Sequence, residues 1–544
     1  MKKFSFQERQ KNLKYFETQE LDLFIVGGGI NGAGVARDAS LRGMKVGMIE
    51  ARDFASGTSS RSSKLIHGGI RYLENMEFKL VFEALNERTK LFEMAPHLVH
   101  HLRFMIPIYK TSRVSLWKMG MGMWLYDLLA LFQAPEIHEK LSADQAMMRM
   151  PSLREKDLMG ACVYSDAYMD DARLVYETLR SANENNALCA NYVKAIGADF
   201  DKDQKITRVL CQDELTQRKF YVRGKDFVSC VGPWTDQLAQ SFDPKWKTIL
   251  RPTKGIHLSL SRDRLKMENA VVMGDEKSDR IVFGIPRHEM ILIGTTDTDY
   301  KGSPEDVSVL PEDVDYLMQI VDSYFPGAKI KPQDILSSYA GVRPLVQDQS
   351  ASEGKTSREH SIFNDMHGVT YIAGGKYTTY RLIAQEVVEY ILKHSSIDER
   401  VKFKSVNTAR PLNEFTGAEE CDAALTGYDK WKRSPALSLP ELHSLVERYG
   451  LEAEKMLNEY PDMNGLEIEA AQAIEHSMCL NLVDFYSRRV PVFLSMKDHG
   501  LQTLDSVGAV FKYYLGWSDE KTESEKENYR KYVEQELAWQ KATR

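Results

Sequence analysis

Apolar positions recur along this chain in two rhythms, one of buried strands and one of packed helices. The run at 21–26, LDLFIV, is almost continuously apolar, as a strand buried on both faces of a parallel sheet should be. It ends in Gly27-Gly28-Gly29-Ile30-Asn31-Gly32-Ala33-Gly34, after which a helix-like stretch leads to a second strand at 45–49, closed by Glu50. Shorter runs at 227–230, 257–260, 280–285 and 290–294 predict strands separated by turns, and so a second, mostly antiparallel sheet that would cover a substrate. Residues 368–373 predict one more strand, which runs into Gly374-Gly375-Lys376-Tyr377-Thr378-Thr379. The helix after it carries Ile383, Val387 and Ile391 at helical spacing, which suggests a return to the first sheet.

Other segments read as helices. Val81, Leu85 and Phe92 share one face of a helix over 78–92. Periodicity is lost at 399–412, where Pro411 also falls, and a domain boundary is placed there. Beyond it, 439–457, 466–484 and 521–539 have charged faces and modest apolar stripes. Residues 462–465, DMNG, lack the ligand positions of a calcium loop and read as a helix-joining turn. The expected fold is therefore α/β: a Rossmann-like dinucleotide-binding domain, an antiparallel-sheet substrate domain and an all-α C-terminal domain. The first two are interleaved over 1–400, with cofactor portions near 20–75, 170–240 and 355–395 and substrate portions near 76–169 and 241–354. The helical domain takes 401–544.

The glycine run has a specific chemistry. Gly27 permits a tight turn, Gly29 lets the backbone approach a pyrophosphate, and Gly32 lets helix and strand pack closely. The helix N-terminus then faces the anion. Glu50, about 20 residues further on, is placed to accept from a ribose, and an acid there disfavours a 2′-phosphate. The hydroxyl-rich segment at 53–64 suits a loop lying along a cofactor.

Composition changes this picture only at its edges. A chain of 544 residues exceeds one core, and 43% hydrophobic with 27% charged residues describes a folded soluble protein. A net charge of −7 argues against broad nucleic-acid affinity, while leaving room for a local positive pocket. The six cysteines are scattered without a CxxC pair or zinc spacing, so they read as reduced thiols, and no metal site is expected. Residues 1–20 lack the apolar core of a signal peptide, which places the protein on the cytoplasmic side.

With these pieces in place, the chain resembles the FAD-dependent glycerol-3-phosphate dehydrogenases, a branch of the D-amino-acid-oxidase-like flavoproteins. The resemblance is carried by GGGINGAG at 27–34, TSSRSSKLIHGGIRYLE at 58–74, RPTKGIHL at 251–258, YAGVRPL at 339–345, TSREH at 356–360 and GGKYTTYR at 374–381. It implies bound FAD, oxidation of sn-glycerol 3-phosphate to dihydroxyacetone phosphate, electron transfer to a membrane quinone, and a homodimer.

The residues themselves suit that chemistry. A phosphate dianion is best held by guanidinium forks, and Arg71, Arg343 and Arg358 lie in the matched motifs. Lys376 adds a point charge beside a double glycine, and Tyr72 is a further candidate for substrate contact. Oxidising a secondary alcohol needs a group to take the hydroxyl proton; His67, His257 and Lys376 are the candidates, and neighbouring arginines would keep an imidazole neutral. Besides Gly27, Gly29, Gly32 and Glu50, cofactor contacts are expected from Thr58, Ser59, Ser62, Gly232, Gly374, Gly375 and Thr378.

The stretch Trp117 to Phe132, WKMGMGMWLYDLLALF, is too short to span a bilayer, which takes about 20 apolar residues. Its interfacial Trp and Tyr and its basic flanks, Lys110 and Arg113, fit an in-plane helix that attaches the protein to the inner face of the cell membrane; a buried helix or a dimer contact is the alternative. Three rival functions stand beside the dehydrogenase. A glycerol-3-phosphate oxidase would make peroxide, although such oxidases tend to carry an inserted segment that is not obvious here. An amine or amino-acid oxidase on the same fold would need fewer cations, and another FAD-dependent alcohol oxidoreductase stands beside it. A non-catalytic, FAD-containing membrane-associated protein is the third.

Overall fold

The computed structural model describes residues 2–542 apart from 75, 276, 277, 279, 288, 289, 348–355, 358, 359, 404, 416 and 432–434. Among the described residues two sheets dominate. The first has a parallel centre in the order Val369–Gly374, Lys219–Ser229, Glu20–Val26, Val46–Ile49, Leu188–Ala190. Every residue of Glu20–Val26 after the first is buried, because helices cover this sheet and leave no face to water. The earliest strand lies between one that follows it directly and one that returns some 200 residues later, so the strand order reverses beside it. In doubly wound sheets the crevice at such a switch point, outside the carboxyl ends of the strands, is where ligands bind. Lys219–Ser229 plays two parts: its beginning pairs antiparallel with Ile206–Asp213, and its end pairs parallel with Glu20–Val26.

The second sheet has eleven strands and is antiparallel except where Ala270–Gly274 runs beside Val99–Tyr109. Two long ladders hold it, Val99–Tyr109 with Leu158–Met169 and Leu250–Ser261 with Ile335–Gln347. Leu65–Ile66 and Thr356–Ser357 pair into this sheet, although the stretches around them were expected in the cofactor portion. Apolar alternation tells a strand's faces but not its partner, so these short crossings are invisible in sequence.

Several helices differ from their sequence reading in instructive ways. Phe6–Thr18 forms a helix whose Leu13 and Phe16 are buried, hidden in sequence by the polar residues around them. Phe78–Met94 buries Val81 and Leu85 as expected but leaves Phe92 half-buried, with Leu91 and Met94 in the core instead. The span 439–457 is two helices, Leu439–Tyr449 and Glu452–Glu459, broken where Gly450 takes a φ of +57°. DMNG does join helices: Asn464 caps Gly465–His476, its side chain accepting from the Glu467 N–H while the Glu467 carboxylate accepts from the Asn464 N–H. All six cysteines are buried and free.

The linker before the helical domain lies on the first domain, where Arg37 donates to the carbonyls of Thr408 and Arg410. One hydrophobic core then runs from the second sheet (Phe104, Tyr164, Leu292) into the C-terminal helices (Leu445, Phe485, Phe511). Helix Asp171–Glu184 shows why the polar side of a helix can be buried too. Its Arg180 is held by Glu177 and by Glu452 of the C-terminal domain, so the charges are matched out of water.

Candidate active site

At the switch point the crevice opens into a cavity of about 1800 Å³, well beyond the ~300–1,000 Å³ of ordinary small-molecule sites. One end is built from the glycine turn. Gly27 has a φ of +109°, and a Cβ there would lie 2.6 Å from the Cys230 carbonyl oxygen. A Cβ on Gly32 would lie 2.0 Å from the Gly27 carbonyl oxygen, so helix Ile30–Leu41 starts hard against the strand end. Gly32 thus stands behind the cavity wall, whereas Gly27 and Gly29 line it. Glu50 accepts from the N–H groups of Gly28 (2.7 Å) and Arg52 (3.0 Å); burial nevertheless pushes its carboxyl above the ordinary value.

The segment after Glu50 follows the cavity with little regular structure beyond a 3₁₀ turn at Thr58–Ser60. Ser59 accepts from the Ile30 N–H at 3.0 Å, Thr58 donates to the Val342 carbonyl at 2.6 Å, and Ser62 donates to Asp171 at 2.8 Å. Across the cavity lie Gly232, Gly374 and Gly375, all with left-handed φ, and Thr378, whose hydroxyl accepts from the His67 N–H at 3.2 Å.

The other end is cationic. Arg343 comes from the long strand Ile335–Gln347 and is oriented by Thr295 (2.9 Å), the Thr296 carbonyl (3.2 Å) and Asp297 (3.1 Å). Lys376 lies over the Tyr72 ring, 3.5 Å from its centroid, and Arg71 sits exposed on the adjoining turn Ile70–Leu73. His67 is half-buried at the wall. His257 is almost wholly buried, stacked on Tyr339 and bonded through Nε2 to the Ser63 hydroxyl at 2.9 Å. Burial, with Arg343 and then Lys64 adding to it, holds this imidazole well below its ordinary value and therefore neutral. Sequence reasoning assigned that effect to arginines; the missing water is the larger cause.

Of the residues singled out from sequence, all but Gly32 and Arg358 line this one cavity, and Arg358 lies outside the described residues. Ser63, Arg280, Thr295 and Asp297 also line it and were missed. Ser63 had a signal, since it belongs to the hydroxyl-rich run. Arg280 immediately precedes a strand, and nothing local distinguishes such an arginine from a solvated one.

Fold and cavity together define a flavin-dependent oxidoreductase. The chain belongs to the FAD dependent oxidoreductase family, whose model matches residues 22–381, and residues 413–522 match the C-terminal domain of alpha-glycerophosphate oxidase. Among curated relatives, the alpha-glycerophosphate oxidase of Streptococcus pneumoniae is 34% identical over 98% of each chain. The aerobic glycerol-3-phosphate dehydrogenase of Staphylococcus aureus is 32% identical over 98% of this chain and 97% of its own. The crystal structure of the glycerol-3-phosphate dehydrogenase from Bacillus halodurans complexed with FAD superposes with a TM-score of 0.80 at 27% identity, covering 98% of both chains. Glycine oxidase from Geobacillus kaustophilus, with a TM-score of 0.54 at 17% identity, shares the fold over 72% of this chain.

Proposed function

We propose that this chain oxidises sn-glycerol 3-phosphate to dihydroxyacetone phosphate and passes the electrons to a membrane quinone. The observation that carries the reading is that Arg71, Arg280, Arg343 and Lys376 and two histidines line the cavity that also contains the dinucleotide turn. The turn fits FAD: the backbone at Gly29 and the first turn of helix Ile30–Leu41 would hold the pyrophosphate, and Glu50 the adenosine ribose. When bound, FAD supplies the hydride acceptor for the substrate's secondary alcohol carbon.

The protein's own groups do the rest. Arg343 offers a guanidinium already fixed by Thr295, Thr296 and Asp297, so little motion is lost when a phosphate arrives. Arg280, Arg71 and Lys376 line the same cavity, and positive charge there favours a dianion over a zwitterionic amino acid. The hydroxyl proton leaves to His67, to His257 or to Lys376, the last only as a neutral amine and then no longer as one of the cations. His257 reaches the cavity through the Ser63 hydroxyl, and its burial keeps it in the accepting form.

Two observations favour quinone over oxygen. The alignment to the streptococcal oxidase extends over 603 positions, more than this chain contains, so that oxidase carries segments with no counterpart here. The alignments to two staphylococcal dehydrogenases extend over 539 and 546. Second, helix Leu116–Leu129 exposes Trp117, Met121, Trp124 and Leu128 on one side while burying Met123 and Tyr126, and Leu131 and Phe132 continue the exposed apolar surface. Helix Phe78–Met94 packs against it and adds exposed Phe78 and Phe82, with Lys79 and Lys118 also exposed nearby. A patch of this kind with a basic margin suits the surface of a membrane at its inner face. No helix of the described residues is long and apolar enough to cross one.

The test is anaerobic addition of glycerol 3-phosphate to the purified flavoprotein, followed by a quinone analogue or oxygen. Flavin bleaching with fast quinone reduction is the expected result. Fast peroxide formation would hand the protein to the oxidase reading, and no bleaching would refute the substrate.

A further inference from the structure

The segment between Glu50 and Lys64 forms one wall of the cavity, yet no strand ladder holds it in place. Besides main-chain bonds from the Ala55 N–H to the Gly28 carbonyl (3.1 Å) and from the Tyr192 N–H to the Arg52 carbonyl (2.9 Å), side-chain ties hold it, and two of them come from the C-terminal helical domain. At one end Asp53 is fully buried and faces away from the cavity. It accepts from Arg488 Nε (2.8 Å), from Arg489 Nη1 (2.6 Å) and Nη2 (2.9 Å), and from the Tyr176 hydroxyl (3.2 Å). Both arginines belong to a single π-helical turn, Phe485–Arg489. Arg489 and Arg488 together overcome the effect of burial and hold the Asp53 carboxyl below its ordinary value.

At the other end Arg61 donates to the Ala340 carbonyl (3.1 Å) and to Glu536 (2.7 Å). Glu536 closes helix Asp519–Glu536, and the end of that helix is seated on the substrate sheet: the Ser338 hydroxyl donates to the Glu536 carbonyl at 3.0 Å and accepts from Trp539 Nε1 at 2.8 Å. Between the two grips lie Thr58 and Ser59, the latter bonded to the helix turn proposed to receive the pyrophosphate.

We infer that the C-terminal domain is a cofactor clamp, in which Arg488 and Arg489 on Asp53 and Glu536 on Arg61 hold the 51–63 segment in the shape that closes on FAD. This rests on the reading that the cavity holds FAD. Arg488, Arg489 and Glu536 are positioning residues: each acts through the loop, and none belongs to the cavity wall. A binding loop fixed beforehand loses less freedom when its ligand arrives, so the ion pairs of a remote domain are converted into cofactor affinity. The interdomain pair Arg180–Glu452 is an internal control, because it joins the same two domains from within helix Asp171–Glu184 and touches no part of the segment.

The experiment compares Arg488→Gln, Glu536→Gln and Glu452→Gln in the full-length flavoprotein. FAD dissociation is followed by recovery of flavin fluorescence at a temperature well below each variant's Tm, and hydrogen exchange of the 51–63 peptide is measured in the apoprotein. The expected result is an FAD Kd at least tenfold higher in Arg488→Gln and in Glu536→Gln, with faster exchange of 51–63. Glu452→Gln should lower Tm while its Kd stays within twofold of the parent. Kd values within twofold of the parent in the first two variants would overturn the clamp, as would a rise in Glu452→Gln as large as theirs. If Arg488→Gln does not fold, Glu536→Gln at the partly solvated rim decides alone. A parent protein that takes up no flavin would overturn the cofactor reading itself, a failure visible before any variant is made.

Discussion

Gly255 offers the sharpest test of how the cationic end is assembled. A Cβ placed there would lie 2.4 Å from Arg343 Nη2, 2.6 Å from Thr295 Oγ1 and 2.8 Å from Arg343 Cζ. Non-bonded contact needs about 3.5 Å, so in Gly255→Ala the guanidinium must retreat by about 1 Å. That retreat breaks its 2.9 Å bond to Thr295 and withdraws it from the place where the phosphate is proposed to sit. One charge-assisted hydrogen bond is worth about 1.5–3 kcal/mol, which corresponds to a fall in kcat/KM for glycerol 3-phosphate of roughly 10- to 100-fold. The backbone gives no reason for instability: Gly255 lies within strand Leu250–Ser261 and its φ is not left-handed, so alanine fits the main chain. The expected variant is yellow, fully loaded and about as stable as the parent, with the loss expressed mainly in KM. Steady-state kinetics, flavin content and a melting curve measure all three. A kcat/KM within twofold of the parent in a loaded, folded variant would falsify the assignment of Arg343 to the substrate.

Arg343→Ala removes the fork outright and should raise KM by roughly 100-fold, about 3 kcal/mol of lost charge-assisted contact, with FAD content unchanged; an unaltered KM would exclude the residue from the site. Changing Trp117, Met121 and Trp124 together to Ser removes the most exposed apolar groups of helix Leu116–Leu129, and co-sedimentation with anionic vesicles should fall severalfold while activity toward a soluble acceptor persists. Full retention on vesicles would place the docking surface elsewhere. Stability should fall in acid because three buried histidines are held neutral: His476 is pushed down to about 3 by burial and by Arg180, and His97 and His257 are also held well below their ordinary values, chiefly by burial. Their folded values lie below the unfolded value of 6.5, so the unfolded chain binds more protons; stability is complete above that pH and declines below it, for His476 down to about pH 3. Urea midpoints measured from pH 8 to pH 5 should show the decline, and His476→Gln should make it shallower; a flat profile would contradict the burial of these rings.

Local chemistry made much of this protein legible. The glycine turn, the acid after the second strand and the late GGKYTT segment each declare themselves within a few residues, because a tight turn, a close approach and a helix start are short-range demands on the backbone. The short run at 257–260 likewise announces part of strand Leu250–Ser261. Harder to read were features that depend on two distant segments meeting. Arg280 matters only because strand Ile281–Arg287, which it precedes, begins beside the cavity, and Leu65–Ile66 joins the second sheet only through pairing with Tyr168 and Ala167.

The sequence by itself determined the dinucleotide turn, the two kinds of sheet, the helical tail and a set of candidate side chains, most of which line the cavity beside many it did not name. Tertiary structure alone decided that Gly255 and Arg343 share one space, that His257 is almost wholly buried, and that Asp53 and Arg61 are bonded to C-terminal residues more than 400 positions further along the chain. The physical reason is range. Backbone geometry and amphipathic periodicity act over a few residues and leave their mark in the local pattern, whereas burial, charge pairing and steric exclusion belong to neighbours that only folding brings together.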